Sequence, residues 1–126
     1  MRYLFDTHAL LWAVGDTDRL SETARHILAS EPEVCTSIAA LWEIGIKKSI
    51  GKLRVPFSLA ELADCCRSQR IMILPIHPAH IDALGQLPNI HGDPFDRLLI
   101  AQAWTEGLTI VTKDEKIRRY PVETQW

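Results

Sequence analysis

Asp6, Glu43, Asp96 and Asp114 are the residues whose types and settings point to chemistry. Asp6 directly follows the apolar run Tyr3-Leu4-Phe5, and Asp114 stands just beyond Leu108-Thr109-Ile110-Val111-Thr112. A buried strand would deliver each of them to the carboxyl edge of a sheet. An Asp in that place also commonly caps the following helix, and for either residue alone the two readings stand level. Asp96 carries more. Asp93-Pro94-Phe95-Asp96 reads as a helix start, with Asp93 the N-cap and Pro94 the first helical residue. The helix dipole favours a carboxylate in that first turn by ~0.3–1 kcal/mol, which accounts for an acid there but not for its face. At about 100° per residue, Asp96 falls within the apolar arc of Leu99, Ile100, Ala103 and Trp104, with Gln102, Thr105 and Glu106 opposite. An acid turned toward a core needs a cation or hydrogen-bond donors. Glu43 either pairs with Lys47 at i,i+4 for ~0.2–0.5 kcal/mol, or uses the space beside Ala39 and Ala40 to meet a ligand. Spacing alone leaves both open.

The set says more than its members. Two carboxylates ~4 Å apart repel by about 4 kcal/mol at an effective dielectric near 20. Several such pairs would strain a domain whose whole stability is ~5–15 kcal/mol. A hard divalent cation removes the conflict, and carboxylates with waters are what magnesium prefers. Such ions activate water and stabilise the leaving oxygen of a phosphodiester, so no Ser/His/Asp or Cys/His nucleophile is required.

The elements that must position these acids follow from apolar patterning. Tyr3–Phe5, Val34–Thr36, Ile71–Leu74 and Leu108–Val111 are short, largely β-branched or aromatic, and read as strands. Helical patterns lie at Ala9–Val14, Glu22–Ala29, Ile38–Ser49, Leu59–Ser68, Ala79–Leu84 and Phe95–Glu106, followed by a short helix near Glu115–Arg119 and a strand near Val122. Gly51–Pro56 and Leu87–Pro94 read as long connections. The alternation predicts an α/β fold: three layers, α/β/α, around a mostly parallel sheet, forming one domain over residues 1–126. Ligands of such sheets collect outside the carboxyl ends of the strands, where two of the acids are expected.

The net charge of -2 argues against a protein that coats nucleic acid, so any contact with it is expected to be local and metal-assisted. Three cysteines, two of them the adjacent Cys65 and Cys66, make no disulfide framework and fit free thiols in a reduced, cytoplasmic setting. The early acid at Asp6 does not suit a signal peptide, and no apolar run approaches the ~18 residues of a membrane span.

These same residues carry a family likeness. Tyr3-Leu4-Phe5-Asp6-Thr7-His8-Ala9-Leu10-Leu11-Trp12 resembles the opening of PIN-domain proteins, and Leu41-Trp42-Glu43-Ile44-Gly45-Ile46-Lys47 their second motif. The run from His91 through Asp93-Pro94-Phe95-Asp96-Arg97 to Ala103 is similar to the third, and Ile110-Val111-Thr112-Lys113-Asp114 to the fourth. The likeness spans essentially the whole chain. It implies a Mg2+- or Mn2+-dependent endoribonuclease with Asp6, Glu43, Asp96 and Asp114 as catalytic metal ligands. Short PIN proteins of this kind are mostly VapC-type toxins, which implies an RNA substrate, a cognate antitoxin protein and a homodimer. His8 departs from many relatives and stays outside the catalytic set. The spacing to Ile100-Ala101 favours Asp96 over Asp93 as the ligand, with Asp93 the cap.

Other readings compete. A phospho-receiver would want an Asp after its third strand, where Pro75-Ile76-His77 stands. A haloacid-dehalogenase-like phosphatase would want Asp-x-Asp where Asp6-Thr7-His8 stands. A catalytically inactive RNA- or protein-binding module is the remaining alternative, against which the four acids weigh. His77, His80, Cys65 and Cys66 lack a zinc-site spacing, so surface or capping histidines are expected. The four tryptophans are expected to be core or partly buried. Lys47, Lys48, Arg97, Lys113 and Lys116 are candidates for phosphate contacts, most of them destined for a solvated face.

Overall fold

A computed structural model describes residues 2–126 of the chain. Strand β1 (Tyr3–Phe5) ends at Asp6, whose carboxylate caps helix α1 (Thr7–Gly15) by accepting the Ala9 N–H at 2.8 Å. A 3-10 turn, Thr17–Arg19, leads into α2 (Glu22–Ser30), which Ser21 caps. Strand β2 (Val34–Ser37) passes into α3 (Ile38–Ser49) with Ser37 as the cap. The connection that follows ends in α4 (Leu59–Ser68), opened by a reciprocal cap between Ser58 and Glu61. Then come β3 (Ile71–Leu74), α5 (Pro78–Leu84) and α6 (Pro94–Glu106). Gly107 stops α6 with φ +67°, a left-handed conformation that a side chain would oppose. The chain closes with β4 (Thr109–Val111), a 3-10 turn at Ile117–Arg119, and β5 (Thr124–Gln125).

All five strands are parallel, in the order β3-β2-β1-β4-β5. Leu4 lies opposite Cys35 on one side and Ile110 on the other, so β1 is the centre of the sheet. The pleat divides the core. Tyr3, Phe5 and Val111 face a cluster with Leu10, Ala13, Ile27, Leu41, Ile44 and Leu62, supplied by α1 to α4. Leu4, Cys35 and Ile110 face Leu99, Ile100, Ala103, Ile117 and Tyr120 on the other side. Helices thus cover both faces, as the alternation of elements predicts.

From β1 the chain winds outward through β2 and β3, then returns to place β4 and β5 on the opposite flank. The winding reverses between β1 and β4, which opens a crevice at their carboxyl ends. Asp6 and Asp114 follow those two strands.

Several expectations are corrected. Helix α1 begins two residues early, at Thr7, because Asp6 is its cap. The last strand lies at Thr124–Gln125 rather than near Val122, where its register with Ile110 and Val111 is set. Gln102 is fully buried rather than on the outer side of α6, with its amide donating to the Pro75 carbonyl at 3.2 Å. Helix α6 is buried continuously from Leu98 to Ala103, so it is wrapped on more sides than one apolar arc implies. Trp42 and Trp104 are exposed, at 59% and 42%. His80 is buried, its Nδ1 capping the His77 N–H and its Nε2 meeting Glu106. The three cysteines are free thiols. Among the described residues no helix is long and apolar enough to cross a membrane.

Candidate active site

A cavity of about 400 Å³ opens at the carboxyl end of the sheet, beside the ends of β1 and β4. Asp6, Glu43, Asp96 and Asp114 all line it, together with Asp93. Against these five carboxylates stand Lys47, Lys113 and the ring of His8, with Thr7 and Trp12 completing the wall.

Each acid arrives by a different route. Asp6 is carried by β1 and is 7% exposed. One of its oxygens caps α1 and the other accepts the Thr112 hydroxyl. Burial pushes its pKa up, against these two hydrogen bonds, and nearby Asp114 adds to the rise. Asp6 therefore caps α1 and at the same time lines the cavity.

Glu43 projects from the second turn of α3 and is 4% exposed. The Thr7 hydroxyl donates to its Oε1 at 2.7 Å, and the Lys47 ammonium meets its Oε2 at 2.6 Å. The i,i+4 pair therefore exists, but it is not the solvated pair that spacing permits, because its acid is buried. That contact, followed by the fields of Asp93 and Asp96, raises the Lys47 pKa against the opposing cost of burial.

Asp96 stands in the first turn of α6, behind the cap of Asp93, which accepts the Phe95 and Asp96 N–H groups. Its Oδ2 lies 3.1 Å from His91 Nε2. Burial pushes its pKa up to about 6, and Asp93, Asp114 and Glu43 push the same way, while His91 opposes. Four acids thus feel one another through this residue.

Asp114 is half-buried on the turn after β4, where its Oδ1 accepts the Lys116 N–H. The Thr112 hydroxyl accepts the Asp114 N–H at 3.0 Å while donating to Asp6. One side chain therefore ties two of the acids together.

Thr7, Thr112 and His91 are the residues that the sequence reading leaves unassigned. Their signal is position: Thr7 directly follows Asp6, Thr112 directly follows β4 and precedes Asp114 by two residues, and His91 stands two residues before the Asp-Pro-Phe-Asp segment. Of the five cations considered for phosphate, Lys47 and Lys113 line the cavity. Lys48 instead donates to the Phe57 carbonyl, and Arg97 donates to the Pro88 carbonyl.

The donor set is all oxygen, which suits a hard cation. Among the described residues, no three acids or histidines are already drawn into a closed metal cage. Magnesium does not need one, since it keeps several waters and takes one or two carboxylates directly. Burial and the neighbouring carboxylates both oppose the charge on Asp96, and such an ion would relieve that cost.

A family model described as the PIN domain matches residues 3–123. The chain is 29% identical over 121 residues to Ribonuclease VapC22 of Mycobacterium tuberculosis, covering 93% of this chain and 90% of that protein. Among solved structures, it superposes on VapBC2 of Rickettsia felis, bound to a DNA fragment from its promoter, with a TM-score of 0.73 at 17% identity. That match covers 100% of this chain and 99% of the other. A toxin–antitoxin complex from Klebsiella pneumoniae gives 0.65 at 18% identity, over 98% and 96% of the two chains. At these identities the structures speak for the fold.

Proposed function

The chain belongs to the PIN-domain family, and on that footing we propose that it is a Mg2+- or Mn2+-dependent endoribonuclease and the toxin of a toxin–antitoxin pair. The observation that carries the reading is the single cavity lined by Asp6, Glu43, Asp96 and Asp114, with Lys47 and Lys113 at the same wall. The likeness to Ribonuclease VapC22 supports RNA as the substrate. The likeness to a toxin–antitoxin complex supports an antitoxin protein as partner. A homodimer and a cytoplasmic setting complete the proposal.

Asp6, Glu43, Asp96 and Asp114 would hold the metal. When bound, it supplies an activated water and stabilises the oxygen that leaves the phosphodiester. The chain's own groups then have separable tasks. Thr112 and the α1 backbone fix both oxygens of Asp6, and Thr7 fixes Oε1 of Glu43. Lys113 and Lys47 offer the cavity's positive charge to the anionic backbone of the substrate, which five carboxylates would otherwise repel. The Lys47–Glu43 ion pair also balances charge before any metal arrives.

The test is RNA cleavage by the purified chain in magnesium, in manganese and in chelator, alongside Asp6→Asn and Asp96→Asn. Cleavage that needs the metal and is lost in both variants is expected. Full activity in both variants, with contaminating nuclease excluded, would overturn the assignment. Expression from the native operon should yield a complex with a small antitoxin. A bare monomer, with no growth defect when the chain is expressed alone, would count against the toxin reading.

A further inference from the structure

His91, Tyr120 and Arg97 form a hydrogen-bonded chain that ends on Asp96, and counting its donors fixes the state of the imidazole. Tyr120 is 3% exposed, so its hydroxyl must satisfy itself within the protein. Arg97 Nη1 donates to that oxygen at 3.0 Å, and the backbone N–H of His91 donates to it at 3.3 Å. Those two N–H groups fill the two lone pairs of the phenol, leaving its single hydrogen to give. The acceptors within reach are His91 Nδ1 at 2.7 Å and the His91 carbonyl at 3.5 Å, and the shorter contact takes the hydrogen. His91 Nδ1 is therefore an acceptor, and the neutral ring carries its proton on Nε2. That N–H lies against Asp96 Oδ2 at 3.1 Å.

The other oxygen of Asp96 accepts no hydrogen bond among the described residues. Arg97 anchors the far end of the chain by donating to the Pro88 carbonyl at 2.9 Å and, more weakly, to that of Leu84 at 3.5 Å. The assembly thus joins the end of α5, the connection before α6 and the C-terminal 3-10 turn to one carboxylate.

We infer that His91 is a positioning residue for Asp96: Tyr120 and Arg97 hold it in the Nε2–H tautomer, so that it occupies Oδ2 and reserves Oδ1 for the metal. The inference rests on the proposed metal site, but it concerns a separate group. Partners of this kind, which orient a ligating side chain, typically change metal affinity by about 10–100-fold when removed.

The experiment joins two measurements on the full chain. Nitrogen-15 spectra of the imidazoles should show His91 with a proton on Nε2 and an unprotonated, hydrogen-bonded Nδ1, and Tyr120→Phe should release that preference into mixed tautomers. Manganese binding, measured by calorimetry, should weaken about 10–100-fold in His91→Ala. His91→Gln, whose amide N–H reaches the Nε2 position, should recover most of the affinity, and the shorter His91→Asn should not. If His91→Ala does not fold, the spectra and the Tyr120→Phe calorimetry carry the test, with the same direction of loss. A wild-type proton on Nδ1 would overturn the inference. So would folded variants whose melting temperatures fall while manganese affinity stays at the wild-type value, which would make the chain a structural brace alone. A wild type that binds no manganese would remove the metal-site reading and this inference with it, whereas binding that ignores His91 would remove this inference only.

Discussion

Neutralising Asp96 in the metal-free protein should stabilise it, by an amount that depends on pH. Its carboxyl titrates at about 6 in the fold, against 3.8 for the free side chain. At ~1.4 kcal/mol per pK unit, a difference of that size corresponds to about 3 kcal/mol between protonated and ionised forms. The side chain is 18% exposed, so partial screening by water brings the expected figure to about 2–3 kcal/mol. The sign follows from linkage. A carboxyl with a raised folded pKa binds its proton more tightly in the native state, so it contributes stability below about 4 and loses it as pH rises through about 6. Asp96→Asn never ionises, and its amide oxygen can still accept from His91. In chelator at pH 7.5 it should therefore melt above the wild type, by roughly 8–12 °C at about 4 °C per kcal/mol for a chain of this length. At pH 4 the two melts should converge. In metal at a hundredfold excess over its dissociation constant, the wild type should gain about 2.7 kcal/mol, and the variant less. Scanning calorimetry of both proteins at pH 4, 6 and 7.5 reads all of this. A variant that melts below the wild type at pH 7.5 in chelator, or a difference that ignores pH, would show that Asp96 is a structural acid and that burial and its acidic neighbours do not oppose its charge.

Thr112→Val keeps shape but removes the hydroxyl that serves both Asp6 and Asp114; it should cost ~1–3 kcal/mol and depress cleavage, and unchanged melts and rates would refute the coupling. Lys47→Met leaves buried Glu43 without its ammonium, so it should lower the chelator melt by the equivalent of ~1–3 kcal/mol, with metal restoring part of the loss. An unshifted melt in chelator would mean that the Lys47 contact balances no charge. The three thiols are free, so reductant should leave both the intact mass and the melting temperature unchanged; a mass increase on reduction would reveal a disulfide.

The parts of the fold that were legible in sequence are those with a local cause. Tyr3–Phe5 and Ile71–Leu74 declare themselves by short, bulky apolar runs, and Asp93-Pro94 marks the start of α6. The acids were legible because strand ends and helix starts fix their places before any tertiary contact is known. What escaped depends on packing between distant segments. Gln102 reads as outward from α6 alone, yet it is fully buried and its amide donates to the distant Pro75 carbonyl. The last strand moved to Thr124–Gln125 because its pairing with Ile110 and Val111 decides its place, not its own composition. Thr112 and Asp6 are 106 residues apart, and no local pattern could announce that their side chains bond.

The supporting groups also explain how the fold tolerates five acids around one cavity. Thr7, Thr112, the Ala9 N–H and the Phe95 and Asp96 N–H groups are five uncharged hydrogen-bond donors to these carboxylates. Uncharged donors satisfy individual carboxylate oxygens without cancelling the net negative charge of the site. Full neutralisation by arginines would stabilise the metal-free fold further, but it would leave little field to draw in a divalent ion. Lys47 is the exception, and it is 39% exposed on a flexible stem rather than locked by a planar fork. An ammonium so placed can leave Glu43 when a stronger cation arrives, which a buried bidentate arginine would resist. Lys47→Arg should therefore be harsher on metal affinity than its conserved charge suggests. Calorimetric manganese binding to Lys47→Arg, compared with Lys47→Met, decides the point: tighter binding in the arginine variant would refute the idea that a displaceable counter-charge is what this position supplies.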